Sequence, residues 1–304
     1  MPSLPPKQPP FDPRHGEAVQ VAPAVLRVTA PNAGAFTGAG TNSYVVGTDT
    51  LAVIDPGPDD PAHLDALRRT IGGRSVSHIL VTHTHADHSP LAAPLAEETG
   101  AIVVAEGPHR AARPLADGER NVLDASSDRD FSPDIAVAHG DRIDGAGWAF
   151  ETVLTPGHTM NHAAFALEGR DLLFSGDHVM GWSTTIVAPP DGSMRHYMAS
   201  LDVLLARRDA LYLPGHGGPL QQPRRFVRHL KGHRLMRERM ITERVAAGDR
   251  TIPAIVDNSY AGLDPGLKGA AALSVLAHLE DLVARGVVVA DPSPRLDATY
   301  HPNG

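Results

Sequence analysis

Cysteine is absent from this chain of 304 residues, and its absence excludes a disulfide framework, thiolate metal ligands and a cysteine nucleophile. Long apolar runs are also missing, since none approaches the ~18 residues that a membrane-spanning helix requires. Residues 1–13 contain six prolines and no apolar segment typical of a signal peptide. We therefore expect a disordered Pro-rich tail over residues 1–15 and a cytoplasmic protein with no membrane partner.

Basic charge is scarce relative to acidic charge, because 27 Lys and Arg face 35 Asp and Glu and the formal net charge is −8. A chain of this length can bury a sizeable core and suits one large domain with a smaller one. After Pro223, long helical patterns replace the short apolar runs that precede it. We expect a main domain over residues 16–223 and a small C-terminal domain over residues 224–304.

Histidine is abundant, with 17 in the chain, and three of them crowd into Thr82–His88, which reads Thr-His-Thr-His-Ala-Asp-His. A buried strand is predicted directly before this segment. Because side chains two apart in a strand point the same way, His83 and His85 leave the strand end on one side. Asp87 follows at the turn, beside His88, and both can face a second point. The segment predicts ligands for two adjacent divalent cations.

Four further apolar runs end in a turn residue and then a potential ligand. These ligands are Asp55, His158, Asp177 and His216. Glycine beside a ligand lets the backbone approach closely. Strand ends that meet at one edge of a sheet are where α/β proteins usually build their sites. We therefore expect all five segments to converge on one site.

The ordered set of these residues, with Gly40-Thr41-Asn42-Ser43-Tyr44 upstream, resembles the metallo-β-lactamase superfamily of metal-dependent hydrolases over about residues 20–222. The resemblance implies an α+β fold, an αββα sandwich, with two ligand sets and a bridging carboxylate. The first implied set is His83, His85 and His158. The second implied set is Asp87, His88 and His216, with Asp177 as the bridge. Asp55 would orient a ligand imidazole from behind.

The implied centre predicts hydrolysis. Zn²⁺ is the default for a histidine-rich site, and the carboxylates leave Fe and Mn open. Two divalent cations with Asp87, Asp177 and a bridging hydroxide carry about +1, which suits a metal-bound hydroxide nucleophile and a developing oxyanion. Asp87 is thus both a ligand and a catalytic candidate. His162 is a second catalytic candidate, as a donor to the substrate, or else a supporting histidine. His178 is expected to pack beside the bridging carboxylate.

Three predicted helices and a β-ribbon in residues 224–304 resemble a winged helix. With His233-Arg234 and its basic neighbours, this part looks like the lactamase-β-2-like endoribonuclease branch of the superfamily. Duplex DNA binding draws its affinity from phosphate neutralisation, yet residues 251–304 carry three Lys/Arg against six Asp/Glu. The third helix would expose Glu280 and Asp281. We therefore expect no duplex DNA partner, and a domain that packs against the sandwich or shapes the site mouth.

The residues leave the substrate open. Between Arg224 and Arg250, nine Lys and Arg face three acids, and this basic strip suits a single-stranded polyanion. A solvated helix face with i,i+4 ion pairs is the other explanation of the strip, and the favoured one. Single-stranded RNA is our first expectation, and the alternative is a small ester, thioester or lactone. Intact ligand positions speak against a non-enzymatic nucleic-acid-binding regulator. The oligomeric state stays open, a homodimer included.

Overall fold

The computed structural model describes residues 10–121 and 126–303, so most of the expected Pro-rich tail lies outside the described residues. Two β-sheets pack face to face, and helices cover both outer faces. This is the predicted αββα sandwich of the α+β class, and a small domain follows it. No helix in the described ranges is long and apolar enough to cross a bilayer.

Across the described ranges, the first sheet contains seven strands in sequence order. They are β1 (Val19–Ala22), β2 (Val25–Thr29), β3 (Asn42–Val46), β4 (Thr50–Ile54), β5 (Ser75–Leu80), β6 (Ile102–Ala105) and β7 (Ile135–Ala136). Strands β1 to β4 pair antiparallel, and β4 to β7 pair parallel. Helices α1 (Pro61–Ile71) and α2 (Ala92–Thr99) supply the crossovers between the parallel strands β4, β5 and β6.

Strand β4 shows why the central strands are apolar throughout. Leu51 and Val53 lie in the core cluster that contains the buried faces of α1 and α2. Ala52 and Ile54 point into the core between the sheets. Successive side chains of a strand face opposite sides, and here both sides are covered. This double burial holds β4 and β5 in place, and their carboxyl ends carry two of the predicted site segments.

The second sheet has the order β13-β12-β11-β10-β9-β8. Its strands are β8 (Arg142–Gly145), β9 (Trp148–Leu154), β10 (Ala163–Leu167), β11 (Leu172–Gly176), β12 (Leu211–Pro214) and β13 (Leu220–Gln221). Strands β11 and β12 run parallel, and α3 (Met194–Ala206) connects them. Parallel pairing brings the carboxyl ends of β11 and β12 to the same edge, so the residues after them become neighbours.

Helix α4 (Pro223–Ala246) contributes to both domains. Its first half places Phe226 and Leu230 in the core over the second sheet, and its second half places Ile241 in the C-terminal core. The rest of the small domain is α5 (Ile252–Ser259), α6 (Lys268–Ala284) and a ribbon of β14 (Val288–Asp291) and β15 (Thr299–Pro302). Three helices and an antiparallel ribbon agree with the predicted winged helix.

The acidic residues of α6 face the sandwich. Glu280 Oε1 lies 2.7 Å from an Arg113 guanidinium nitrogen, and Asp281 Oδ1 lies 3.0 Å from Arg195 Nε on α3. The expectation that α6 exposes these two acids was wrong, because the pattern of one helix does not reveal that another domain covers it. The acids instead help to dock the small domain on the sandwich.

Glu280 gives this docking contact a pH dependence. Burial raises the pKa of Glu280 from its ordinary 4.5 to about 7, against the opposing effect of Arg113. Because the folded state then holds the proton more tightly than the unfolded state, this group's contribution to stability is full below about pH 4.5. It is lost as the pH rises through about 7.

We expect Glu280→Gln to remove that dependence. The free energy of unfolding of the wild type minus that of the variant should fall by roughly 2–3 kcal/mol between pH 5 and pH 8. Urea unfolding of both proteins at several pH values measures the difference. A difference that stays constant with pH would contradict the assignment.

Candidate metal centre

The predicted ligands converge at one edge of the sandwich. Each follows a strand end: Thr82–His88 follows β5, His158 follows β9, Asp177 follows β11 and His216 follows β12. Three groups of these side chains hold ligand atoms within 4.8 Å of one another. The groups are His83, His85 and His158; His83, His88 and Asp177; and Asp87, His88 and His216. All seven side chains expected from the sequence are therefore brought together.

The first set is an imidazole triad. His85 Nδ1 lies 3.0 Å from His83 Nε2 and 3.0 Å from His158 Nε2. The other nitrogen of His158 lies 2.7 Å from the Ile186 carbonyl oxygen, which only accepts, so the proton sits on Nδ1 and the Nε2 lone pair faces inward. Thr82 Oγ1 lies 3.0 Å from His83 Nδ1 and supports the same orientation of that ring.

The second set combines Asp87 with two imidazoles. Asp87 Oδ2 lies 3.3 Å from His88 Nε2 and 3.2 Å from His216 Nε2. Behind these rings, His88 Nδ1 donates to Asp55 Oδ2 at 2.9 Å and His216 Nδ1 donates to the Gly40 carbonyl oxygen at 3.1 Å. These outer contacts fix the tautomers, so both Nε2 atoms turn toward the carboxylate.

Asp177 lies between the two sets. Its Oδ2 is 3.2 Å from His216 Nε2 and 3.7 Å from His158 Nε2, and its Oδ1 is 3.5 Å from His88 Nε2. Gly215 makes room for it, because a Cβ there would come within 2.4 Å of Asp177 Oδ1. The carboxylate thus occupies the position expected of a bridge.

These residues fit a divalent cation. His88 Nε2 and Asp177 Oδ1 are buried and have no hydrogen-bond partner among the described residues. Nitrogen lone pairs that face one another repel, whereas a cation between them would bind them all. Imidazole nitrogen with carboxylate oxygen suits Zn²⁺, Fe and Mn. The cluster can therefore hold metal.

The charges of the cluster follow from burial and from the carboxylates. Burial lowers the pKa of His83 well below its ordinary value, and neighbouring imidazoles lower it further. Burial acts in the same direction on His216, but Asp177 and Asp87 outweigh it and raise its pKa to about 10. At His88, burial is likewise outweighed by the same acids and Asp55, which raise its pKa well above its ordinary value. In the absence of a cation, protons on His216 and His88 therefore balance the acids, and metal binding would displace them.

Two supporting polar residues were not singled out from the sequence. Thr41 Oγ1 donates to Asp87 Oδ2 at 2.7 Å, and Asn32 Nδ2 donates to Thr41 Oγ1 at 2.9 Å. The Asn32 side-chain oxygen also accepts from the Thr41 backbone N–H at 2.9 Å. The upstream Gly-Thr-Asn phrase was the available signal for Thr41. Nothing in the sequence near Asn32 indicated that it supports the site.

His162 and His178 lie behind the cluster. His162 is fully buried, its Nδ1 lies 2.8 Å from Thr155 Oγ1, and its Nε2 accepts from the Asp177 backbone N–H at 3.1 Å. Both ring nitrogens are thus engaged within the protein, which favours the supporting role over donation to a substrate. His178 packs on the Tyr197 ring at a centroid distance of 4.4 Å.

A cavity of about 610 Å³ opens from the cluster toward the small domain. At one end it is lined by the ligand candidates His85, Asp87, His158, Asp177 and His216. The sandwich adds Phe36, Met180 and Trp182. The small domain closes the other side with Arg234, Arg237, Tyr260, Leu263 and Leu267. The small domain therefore shapes the mouth of the site, which is one of the two roles that we expected for it from the sequence.

A sandwich of this kind with a nitrogen-rich metal cluster at one edge defines a class of metal-dependent hydrolases. Residues 36–216 match the family model described as the metallo-beta-lactamase superfamily, and residues 251–295 match the beta-lactamase associated winged helix domain. The first match covers more than half of the chain. The chain therefore belongs to the metallo-β-lactamase superfamily and is a hydrolase of that fold with a C-terminal winged helix.

Comparisons with individual proteins of similar sequence or structure support this assignment. The lactamase-like protein adaB of Aspergillus niger is 27% identical over 83% of this chain and 77% of its own length. The atrochrysone carboxyl ACP thioesterase AgnL7 of Paecilomyces divaricatus is 32% identical over 65% of this chain and 57% of its own length. A crystal structure of a beta-lactamase domain protein from Burkholderia ambifaria shares the fold, with a TM-score of 0.79, 24% identity and coverage of 95% and 94%.

Metal content is the first test of the cluster. Purified protein should contain about two transition-metal ions per chain by elemental analysis. His216→Ala removes one ligand of the second set, so that variant should retain about one ion. His301→Ala, which changes an exposed histidine of β15, should retain two. Unchanged loading of the His216 variant would contradict the ligand assignment.

Asp55 offers a second test. Its carboxylate accepts from His88 Nδ1, and also from the Thr82 backbone N–H and hydroxyl, both at 2.7 Å. In Asp55→Asn, one acceptor becomes an amide donor that faces donors, so His88 loses its orientation. We expect metal affinity to fall about 10–100-fold in competition with a chelator. As a folding control, the metal-free variant should unfold at the same denaturant concentration as the metal-free wild type. If such a variant binds metal as tightly as the wild type, this role of Asp55 is overturned.

Proposed function

We propose that this protein hydrolyses thioesters of a compact acyl group, using two divalent metal ions. The observation that carries the proposal is the cavity, whose walls beyond the ligands are largely apolar and aromatic. A phosphodiester backbone carries a charge at every nucleotide, whereas positive charge in this cavity is confined to the Arg234 and Arg237 side and the remaining walls suit an acyl group. The thioesterase names of relatives such as AgnL7 support the same reaction. Small esters and lactones belong to the same chemical class.

The side chains divide the work between them. His83, His85 and His158 would hold one ion, and Asp87, His88 and His216 the other, with Asp177 in contact with both. Bound there, the ions would lower the pKa of water and polarise the carbonyl oxygen of the substrate. Zn²⁺ is our first choice, with Fe and Mn as the alternatives.

Asp87 is placed to act on the attacking water. Its side chain is 24% exposed, against 7% for Asp177, and it lines the cavity. Burial would raise its pKa, but His88 and His216 outweigh that effect and hold the pKa well below its ordinary value. Asp87 therefore stays ionised and can accept a hydrogen bond from water, while Thr41 holds its Oδ2.

The basic strip on α4 speaks against single-stranded RNA, our first expectation. Lys231 pairs with Asp202, and Arg244 pairs with Asp249 at 2.5 Å. Arg234 is buried and lines the cavity. The strip is therefore not one continuous exposed surface, although neither ion pair is the i,i+4 pair within the helix that the alternative interpretation expected.

A direct comparison of substrates tests the proposal. Metal-loaded protein is assayed with an aromatic acyl thioester of N-acetylcysteamine and with a labelled single-stranded RNA. We expect turnover of the thioester, abolished by chelation, and no cleavage of the RNA. Asp87→Asn should lower kcat/KM at least about 100-fold, whereas Asp130→Asn, at an exposed position, should leave it unchanged. RNA cleavage without thioester turnover would refute the proposed function.

A further inference from the structure

Arg234 is a buried cation that has no anionic partner in the part of the chain that the structure describes. Its residue is 4% exposed, and among the described residues no carboxylate lies within 4.0 Å of its guanidinium. Its Nε has no hydrogen-bond partner in the described ranges. Buried charges in proteins are nearly always paired, because removal of a charge from water is costly. Residues 10–121 and 126–303 therefore supply no counter-ion for Arg234, and an anionic ligand can do so.

The groups around Arg234 hold it in place but do not neutralise it. One Nη donates to the Thr185 carbonyl oxygen, and the other lies 3.4 Å from Ser274 Oγ. The guanidinium carbon lies 5.4 Å from the centre of the Tyr197 ring. All three partners are neutral. They fix the direction of the guanidinium, which lines the cavity that also contains the metal ligands.

Arg237 adds a second cation to the same wall. Its guanidinium carbon lies 4.4 Å from the centre of the Tyr260 ring, and its Nε donates to His233 Nε2 at 3.3 Å. No carboxylate among the described residues lies within 4.0 Å of it either. Arg234, Arg237 and His233 all line the cavity. Two like charges on one helix turn repel each other, and an anion between them would offset that repulsion.

Thr185 connects this basic wall with the metal cluster. Its carbonyl oxygen accepts from Arg234, and its hydroxyl donates to the Asp177 backbone carbonyl at 2.7 Å. Thr185 therefore contacts both Arg234 and the bridging carboxylate residue, and a compact molecule in the cavity can reach both the arginines and the metal cluster. The aromatic side chains Trp182 and Tyr260 line the space that such a molecule would fill.

We propose that the cavity binds its substrate at two ends, with the reacting carbonyl at the metal cluster and an anionic group of the same substrate between Arg234 and Arg237. The inference rests on the proposed thioester hydrolysis and names the substrate class. The anion is a carboxylate or a phosphate, and these share the planar or bidentate recognition that guanidinium groups provide. A carboxylate would belong to the acyl group, and a phosphate would belong to the carrier of the thioester.

Paired substrates separate the two sources of charge. For the acyl group, the N-acetylcysteamine thioester of a terminal carboxy-acyl group is compared with that of its primary amide. For the carrier, the coenzyme A thioester of a neutral acyl group is compared with its N-acetylcysteamine thioester. We expect the anionic member of one pair to be favoured at least about 10-fold in kcat/KM, mainly through KM. Equal values within both pairs would overturn the inference.

Matched variants connect that preference with the arginines. Arg237→Gln should lower the ratio of anionic to neutral kcat/KM about 10-fold. Arg228→Gln changes an exposed arginine of the same helix outside the cavity and should leave the ratio as in the wild type. Arg234→Met should also lower the ratio, and it should not lower the midpoint of thermal unfolding, since an unpaired buried charge is removed. A ratio that none of these variants changes would refute the site.

A binding measurement keeps this test separate from the proposed reaction. Trp182 lines the cavity, so its fluorescence reports binding of the free carboxy-acid product and of its amide without any turnover. Tighter binding of the anionic compound, lost in Arg237→Gln, would support the anion site even if no thioester is hydrolysed. Equal binding of both compounds in the wild type, together with equal binding of free coenzyme A and N-acetylcysteamine, would refute the anion site even if thioesters are hydrolysed.

Discussion

Inward-facing lone pairs and carboxylate charges at one sheet edge are the constraint on which the rest of the structure depends. Outer contacts such as Asp55 to His88 and the Ile186 carbonyl to His158 fix which nitrogen carries the proton. The free nitrogens then have to face each other and the acids. Such an arrangement repels itself unless cations bind, and only a rigid framework can hold it. The double burial of the central strands provides that framework.

The small domain completes the site that the sandwich begins. Acids of α6 dock it through Arg113 and Arg195, and the middle of α4 carries Arg234 into the cavity. Its charges therefore serve two purposes, because the acids hold the domain on the sandwich and the arginines, which have no acidic partner among the described residues, line the cavity. The winged helix in this protein forms a wall of the cavity beside the metal cluster, and the acids of its helix α6 face the sandwich.

Much of the fold and of the site could be predicted from residue patterns. The segment Thr82–His88 after a buried strand, and single ligands after four other strands, predicted a converging cluster, because parallel strands end at one sheet edge. Other features could not be predicted in this way. Asn32 supports Asp87 through Thr41 from a separate loop, and its local sequence resembles any turn. The covered face of Glu280 also depended on a domain contact that helix periodicity does not encode.

By itself the sequence determined the class of chemistry, since the types and order of the ligands are properties of the chain and persist in any conformation. Only the tertiary structure decided what surrounds that chemistry. It turned His162 toward the backbone of Asp177 and buried Arg234 at the cavity with no acid of the described residues beside it. The physical reason is that burial and the pairing of charges arise between segments distant in the chain. The sequence of a basic strip does not show whether each of its residues faces solvent, an acid or a cavity.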